Sequence, residues 1–193
     1  MIKIEFACSH NHGRSPLAEA FANQYLSVLN LGDYEFISSG THVHEINEQL
    51  AGRKPFTDSE REWIITKYAE RFGDKTHPDP VTIMNQFVRE EHQYRDVAFK
   101  RFGLGLPKQR HDQMIARPDA GLVLVMGKKN LVKAKEIYAG RKVEIETLAG
   151  YATGNPGEEF FTAFGGTEKD YTDMAGAIGY YVSQALKRSI ESA

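Results

Sequence analysis

The sequence holds a single cysteine, Cys8, in 193 residues. That excludes an internal disulfide and a cysteine-based zinc site, and it fits a reducing, cytoplasmic setting. No apolar run approaches the roughly 18–20 residues that a membrane span needs. Residues 1–7 read as a short strand and not as a charged-then-apolar signal peptide. There is no surplus of one charge either. With 24 basic and 26 acidic residues the net charge is −2, so no global basic field invites a nucleic-acid partner. Internal repeats and low-complexity segments are missing. The "GLG" at 103–105 lacks the third glycine and the preceding strand of a dinucleotide fingerprint, and no cofactor is implied. His42 and His44 are spaced like a metal pair, but no third ligand is evident and no metal is expected.

What is present suits one compact domain over residues 1–193, since 41% of the chain is hydrophobic. Ile2, Ile4 and Phe6 alternate with Lys3, Glu5 and Ala7, the period of a strand. Residues 16–30 follow with helical spacing, and "YEFISS" at 34–39 reads as a second strand closed by Gly40. "GLVLVM" at 121–126 is apolar almost throughout, as in a strand covered on both faces. A helix over 131–138, a strand over 143–148 and a long helix over 167–192 complete the series. Thr167 and Asp170 form the capping pair of that last helix, and Met174, Ile178, Val182, Leu186 and Ile190 mark its buried stripe. Strands alternating with helices predict an α/β fold, a doubly wound parallel four-stranded sheet flanked by helices. The middle departs from that rhythm. Amphipathic helices over 57–72 and 82–102, separated by Pro78 and Pro80, read as a helical insertion over about 47–100. Within it Trp63, Tyr68 and Phe72 sit at helical spacing and read as core.

The chemistry concentrates in "CSHNHGRSP", between the first strand and the first helix. In open α/β sheets, ligands bind beyond the carboxyl ends of the strands, where Cys8 stands. The small or polar residues Ser9, His10, Asn11, His12 and Gly13 can turn their backbone N–H groups inward as an anion nest. The helix start adds free N–H groups and a positive dipole end. Pro16 suits the first helical position, and Ser15 can cap the helix or aim its hydroxyl at the loop. Arg14 brings a planar fork matched to two oxygens of a phosphate-like anion. The same positive surroundings favour the Cys8 thiolate, the nucleophilic form. A nucleophile inside an anion cradle is the logic of phosphoryl transfer through a phosphocysteine. A lone cysteine can also be a small apolar filler, and the surrounding pattern decides for the functional reading.

These residues resemble the low-molecular-weight protein-tyrosine phosphatases, whose fold is shared with a class of arsenate reductases. Their signature, a strand, then Cys-x-x-Asn-x-x-Arg-Ser-Pro and a helix opening with Leu-Ala-Glu, stands here as Cys8, Asn11, Arg14, Ser15, Pro16, Leu17, Ala18 and Glu19. "ISSGTH", "PDAGLVLVMGKKNL" and "FGGTEKDYTDM" are similar to later family segments, so the likeness covers roughly 1–45 and 100–193. The resemblance implies a phosphatase for phosphotyrosine-type monoesters, on a phosphorylated protein or a small aryl phosphate, with inorganic phosphate or sulfate fitting the same loop. It implies that Cys8 attacks phosphorus and that Arg14 and the loop amides hold the oxygens. Asn11 would brace the loop, and Ser15 would donate to the thiolate as it departs.

The departures are informative. The family's general acid is an Asp before a Pro, ahead of the last helix. Alignment on "FGG" puts Thr162 and Ala163 there, and alignment on Pro156 puts Asn155 at the Asp position. Neither can donate a proton. The nearest carboxylates are Glu158 and Glu159, either a relocated acid or plain solvated charge. His10 and His12 are unusual in such a loop, where cysteine is common at the place of Gly13. His12 either helps to hold an anion or both histidines line the rim. Gln109, beside Arg110, falls where a bracing histidine usually stands. His42 and His44 follow the second strand, as substrate-flanking pocket wall or as exposed loop. Two other readings stay open: an arsenate reductase using an external thiol, and a non-catalytic phosphate- or phosphoprotein-binding module.

Overall fold

The computed structural model describes residues 2–29, 32–73, 77–105 and 112–191. The chain runs β1 (Ile2–Cys8), α1 (Arg14–Leu29), β2 (Tyr34–Gly40), α2 (Val43–Leu50), α3 (Asp58–Phe72), α4 (Pro80–Arg101), β3 (Ala120–Val125), α5 (Lys128–Ile137), β4 (Glu144–Thr147), α6 (Leu148–Thr153) and α7 (Glu168–Glu191). The four strands pair in parallel in the order β2-β1-β3-β4. The order turns back between β1 and β3, so the end of β1 opens at the switch point of the sheet.

Both faces of the sheet are covered. On one, Ile4, Phe6 and Cys8 of β1 and Leu122 and Leu124 of β3 pack with Leu17 and Phe21 of α1 and Met174, Ile178 and Val182 of α7. On the other, Ala7, Val123 and Val125 pack against Ala134 and Tyr138 at α5. The alternation in β1 therefore does not divide core from solvent. Glu5 is 0% exposed and its carboxylate accepts the Tyr138 hydroxyl at 2.5 Å. Burial first, and then that carboxylate, pushes the Tyr138 phenol well above its ordinary range. Helices α1 and α7 approach closely at Gly179, where a Cβ would stand 2.9 Å from the Phe21 ring.

Local chemistry sets the element ends. Thr57 and Glu60 form a reciprocal capping box on α3. Thr167 and Asp170 do the same before α7, with both backbone-to-side-chain bonds made. Pro78 stands between two separate helices, α3 and α4, and Pro80 is the first residue of the second. It opens α4 behind an Asp79 cap that accepts from the Val81 and Thr82 amides. The fourth strand stops at Thr147, because that side chain caps α6 through the Gly150 amide. Ile190 is 40% exposed, so the buried stripe of α7 ends before it. Helices α3 and α4 build their own small core from Phe56, Ile64, Ile83 and Phe87, while Ala98 and Phe99 at the far end of α4 join the main core. Among the described residues no helix is long and apolar enough to cross a membrane.

Candidate functional site

Cys8 ends β1, and its loop turns back into α1 through Asn11, which takes a left-handed backbone with φ 55°. Asparagine tolerates that region better than most residues. The Asn11 side chain donates to the Ser38 carbonyl at 3.5 Å. Ser15 Oγ lies 3.2 Å from Cys8 Sγ, 2.9 Å from Asn11 Oδ1 and 3.1 Å from the Ser39 carbonyl. Its single proton is placed to serve the sulfur or the loop. Helix α1 begins at Arg14, so Pro16 stands inside the first turn and Ser15 faces the loop without capping the helix. The turn after β2 is tied alongside, with the Thr41 amide on the Cys8 carbonyl and the His42 amide on the Ser9 carbonyl. Asn130 of α5 donates to the Ser9 and Thr41 hydroxyls.

The loop opens into a cavity of about 550 Å³. Cys8, Ser9, His10, His12, Gly13 and Arg14 line its floor, while Asn11 and Ser15 stand behind the loop as braces. Arg14 reaches the Met126 carbonyl at 3.5 Å with one guanidinium nitrogen. The aromatic walls are Phe56, Trp63, Phe160 and Phe164. Trp63, 39% exposed and stacked on Phe164, is thus pocket wall and not core.

Of the carboxylates expected near the site, Glu159 lines the cavity and Glu158 does not. Glu159 accepts the Lys128 amide at 2.5 Å, at the start of α5, and pairs with the Lys128 ammonium at 3.8 Å. Glu158 is half-buried and accepts from Asn155 and Thr153, which hold its carboxyl below the usual range. Thr162 lines the cavity where the aspartate was sought. His42 precedes α2 with Nδ1 2.7 Å from the Thr41 hydroxyl, and burial followed by the Lys129 charge holds its pKa below the ordinary value. His44 is exposed in α2, and its amide donates to Gln113. Neither histidine lines the cavity. Gln109 and Arg110 lie outside the described residues. Among the described residues, no group of three or more His, Cys, Asp or Glu side chains could hold a metal ion.

Helix α4 supplies what the sequence reading missed. Arg95, 5% exposed, donates to the His12 carbonyl at 3.1 Å and pins the loop from behind. His92 Nε2 stands 3.0 Å from His12 Nδ1, and the His12 ring also packs on His10 with centroids 4.2 Å apart. His10 Nε2 is 2.8 Å from Asn47 Oδ1. Glu91, on the same helix, lines the cavity with Cys8 and Arg14. A Cβ at position 13 would stand 2.5 Å from both Glu91 Oε1 and the Tyr171 hydroxyl, so the loop has glycine where those two groups crowd it. Protein encloses Glu91 except toward the cavity. Burial pushes its carboxyl up to about 7, against the opposing charges of Arg14 and Arg95.

That shift predicts a pH-dependent stability. The folded chain keeps a proton on Glu91 between the unfolded carboxyl's pKa and about 7, so stability falls as pH rises through that window. Above it the penalty is complete, at most about 3 kcal/mol. Glu91→Gln removes the penalty. Its melting temperature relative to wild type is expected to gain roughly 5 °C on going from pH 4 to pH 8. Thermal unfolding of both proteins across that range checks it, and a pH-independent difference would contradict it.

No protein-family model matches the chain, and no curated protein matches it in sequence. Solved structures do. The YwlE arginine phosphatase of Geobacillus stearothermophilus superposes with a TM-score of 0.65 at 17% identity, covering 99% of this chain and 95% of that one. A low-molecular-weight phosphotyrosine phosphatase from Vibrio cholerae gives 0.61 at 18% identity, over 99% and 97%. Wzb of Vibrio vulnificus, solved with benzylphosphonate, gives 0.62 at 14%, over 96% and 98%. With its parallel β2-β1-β3-β4 sheet and the Cys8 loop at the switch point, the chain has the fold of the low-molecular-weight phosphotyrosine phosphatases.

Proposed function

We propose that the protein is a phosphomonoester phosphatase of the phosphotyrosine type that works through a phosphocysteine on Cys8. The observation that carries the reading is the Ser15 hydroxyl 3.2 Å from the Cys8 sulfur, at the floor of a cavity that Arg14 also lines. A thiolate needs a hydrogen-bond donor both to persist and to leave, and Ser15 is that donor. Arg14 and the loop amides take the phosphoryl oxygens, and their grip tightens as the planar transition state spreads charge over those oxygens. The sulfur attacks phosphorus, the P–O bond to the substrate breaks, and water then displaces the sulfur to give inorganic phosphate. Trp63, Phe56, Phe160 and Phe164 give walls suited to an aryl ring on a phosphorylated protein or a small aryl phosphate. The nucleophile is the only cysteine, so the reading fits a reducing, cytoplasmic compartment.

A planar phosphoguanidinium is the second substrate to compare. YwlE of Geobacillus stearothermophilus, which shares this fold, is an arginine phosphatase, and Glu60 and Glu159 on the cavity wall suit a cation. The test is hydrolysis of p-nitrophenyl phosphate, phosphotyrosine peptide and phosphoarginine, with acid quenching during turnover. The expected result is one phosphoryl group on the Cys8 peptide by mass spectrometry and faster hydrolysis of the aryl esters. Turnover with no label on Cys8, or no turnover of any of the three, would overturn the reading.

A further inference from the structure

Among the described residues three carboxylates line the cavity: Glu60, Glu91 and Glu159. Two are committed to other partners. Glu60 closes the capping box of α3, accepts from Gln49 and faces Lys129 at 3.7 Å. Burial works against its ionisation, but the Thr57 bonds and Lys129 hold it below the usual range, so it carries no proton to give near neutral pH. Glu159 is fixed to the start of α5 by the Lys128 amide and ammonium. Glu91 differs. Among the described residues it accepts no hydrogen bond and closes no ion pair, while it crowds Gly13 within the loop. It also rides on a rigid element, because Arg95 one turn along α4 is bonded to the His12 carbonyl.

We infer that Glu91 is the acid–base residue of this site. Its carboxyl gives a proton to the substrate's leaving oxygen as the Cys8 sulfur takes the phosphoryl group and the P–O bond breaks. Its carboxylate then takes a proton from the water that attacks phosphorus, as the S–P bond breaks and the sulfur leaves as thiolate. The inference rests on the phosphocysteine reading and adds to it a proton donor delivered by the helical segment between β2 and β3. A donor working near neutral pH needs a pKa near 7, and burial puts the Glu91 carboxyl there. An incoming phosphate dianion favours its neutral form further. The groups facing it are Arg14 from the loop, Arg95 on its own helix and Tyr171 from α7, with Cys8 on the same cavity and the His12–His92 pair beside the loop. Tyr171 is pushed far above its ordinary range, by burial first and then by Glu91, so it stays neutral. The two histidines are the competing source of a pH response near neutrality.

The experiment compares kcat/KM of wild type and Glu91→Gln on p-nitrophenyl phosphate and on phenyl phosphate, from pH 5 to 9. Wild type is expected to lose kcat/KM above about pH 7 as the acid ionises. In Glu91→Gln that limb disappears. The variant should lose roughly 10²–10³-fold on phenyl phosphate, a poor leaving group, and less than about tenfold on the nitrophenyl ester, whose departure needs little protonation. Glu91→Asp keeps the limb at reduced rate, and it serves as the test variant if Gln prevents folding. A limb that survives in Glu91→Gln assigns it to the histidines and overturns the inference. An equal loss on both esters makes Glu91 a positioning residue for Arg14 and overturns it too. Unchanged kinetics in an active enzyme reject Glu91 while the phosphocysteine reading stands. A wild type inactive on both esters removes both.

Discussion

Cys8→Ser is expected to lose at least about 10⁴-fold in p-nitrophenyl phosphate turnover while still binding a phosphate-like anion. A serine hydroxyl is a far weaker acid than a thiol and stays protonated here, because the partner it would inherit, the Ser15 hydroxyl, is no base. The cradle itself does not depend on the sulfur. Arg14, the loop amides and the start of α1 remain, and a serine hydroxyl brings no negative charge to an anion site. Tungstate affinity is therefore expected to stay within a few-fold of wild type or to rise. Folding should tolerate the change. Cys8 is only 4% exposed, but the new hydroxyl replaces an atom that already has Ser15 Oγ at 3.2 Å, so it is not buried without a partner. Equal turnover in the two proteins would remove the covalent mechanism. Lost turnover together with lost tungstate binding would instead mean that the loop had collapsed.

How far the sequence reaches depends on whether a residue's role is set locally. The Cys8 loop was legible because strand, loop and helix are contiguous, and because Asn11, Arg14 and Ser15 stand within a few residues of Cys8. The parallel sheet was legible from "GLVLVM", whose continuous apolar run has only one comfortable environment. Glu5 shows the limit of alternation as a guide. In β1 both faces are covered, and a carboxylate survives inside by accepting the Tyr138 hydroxyl from just past α5, more than a hundred residues away. Helix α2 went unread because it is short and His42 gives it no side-chain cap. The larger omission was α4. Glu91, His92 and Arg95 read as one more polar face of an amphipathic helix, and nothing in their spacing says that the face meets the Cys8 loop. Only the packing of α4 on α7 and on His12 makes that clear. Glycine at position 13, where the family often has cysteine, was the one local trace: the space was reserved for a side chain arriving from elsewhere.

Arg14 separates charge from geometry, and its two replacements are expected to part in an informative way. Arg14→Lys keeps the positive charge but gives up the fork that meets two phosphoryl oxygens at once. A hydrogen bond to a charged group is worth about 1.5–3 kcal/mol, so losing one costs roughly 10–150-fold in kcat/KM. Arg14→Ala loses the charge as well, and the expected deficit is roughly 10³–10⁴-fold, with weaker tungstate binding. The pH profile adds a second, independent reading. The Arg14 charge opposes the effect of burial on Glu91 and lowers its pKa. In Arg14→Ala that opposition is gone, so the Glu91 carboxyl rises further and the alkaline limb moves above pH 7. In Arg14→Lys the charge stays close and the limb stays near its wild-type position. Both variants can therefore be slow for the same lost grip on the phosphoryl group, yet only one shifts the titration. A shift of equal size in both, or in neither, would mean that the group titrating in the profile does not feel Arg14, and Glu91 would not be that group.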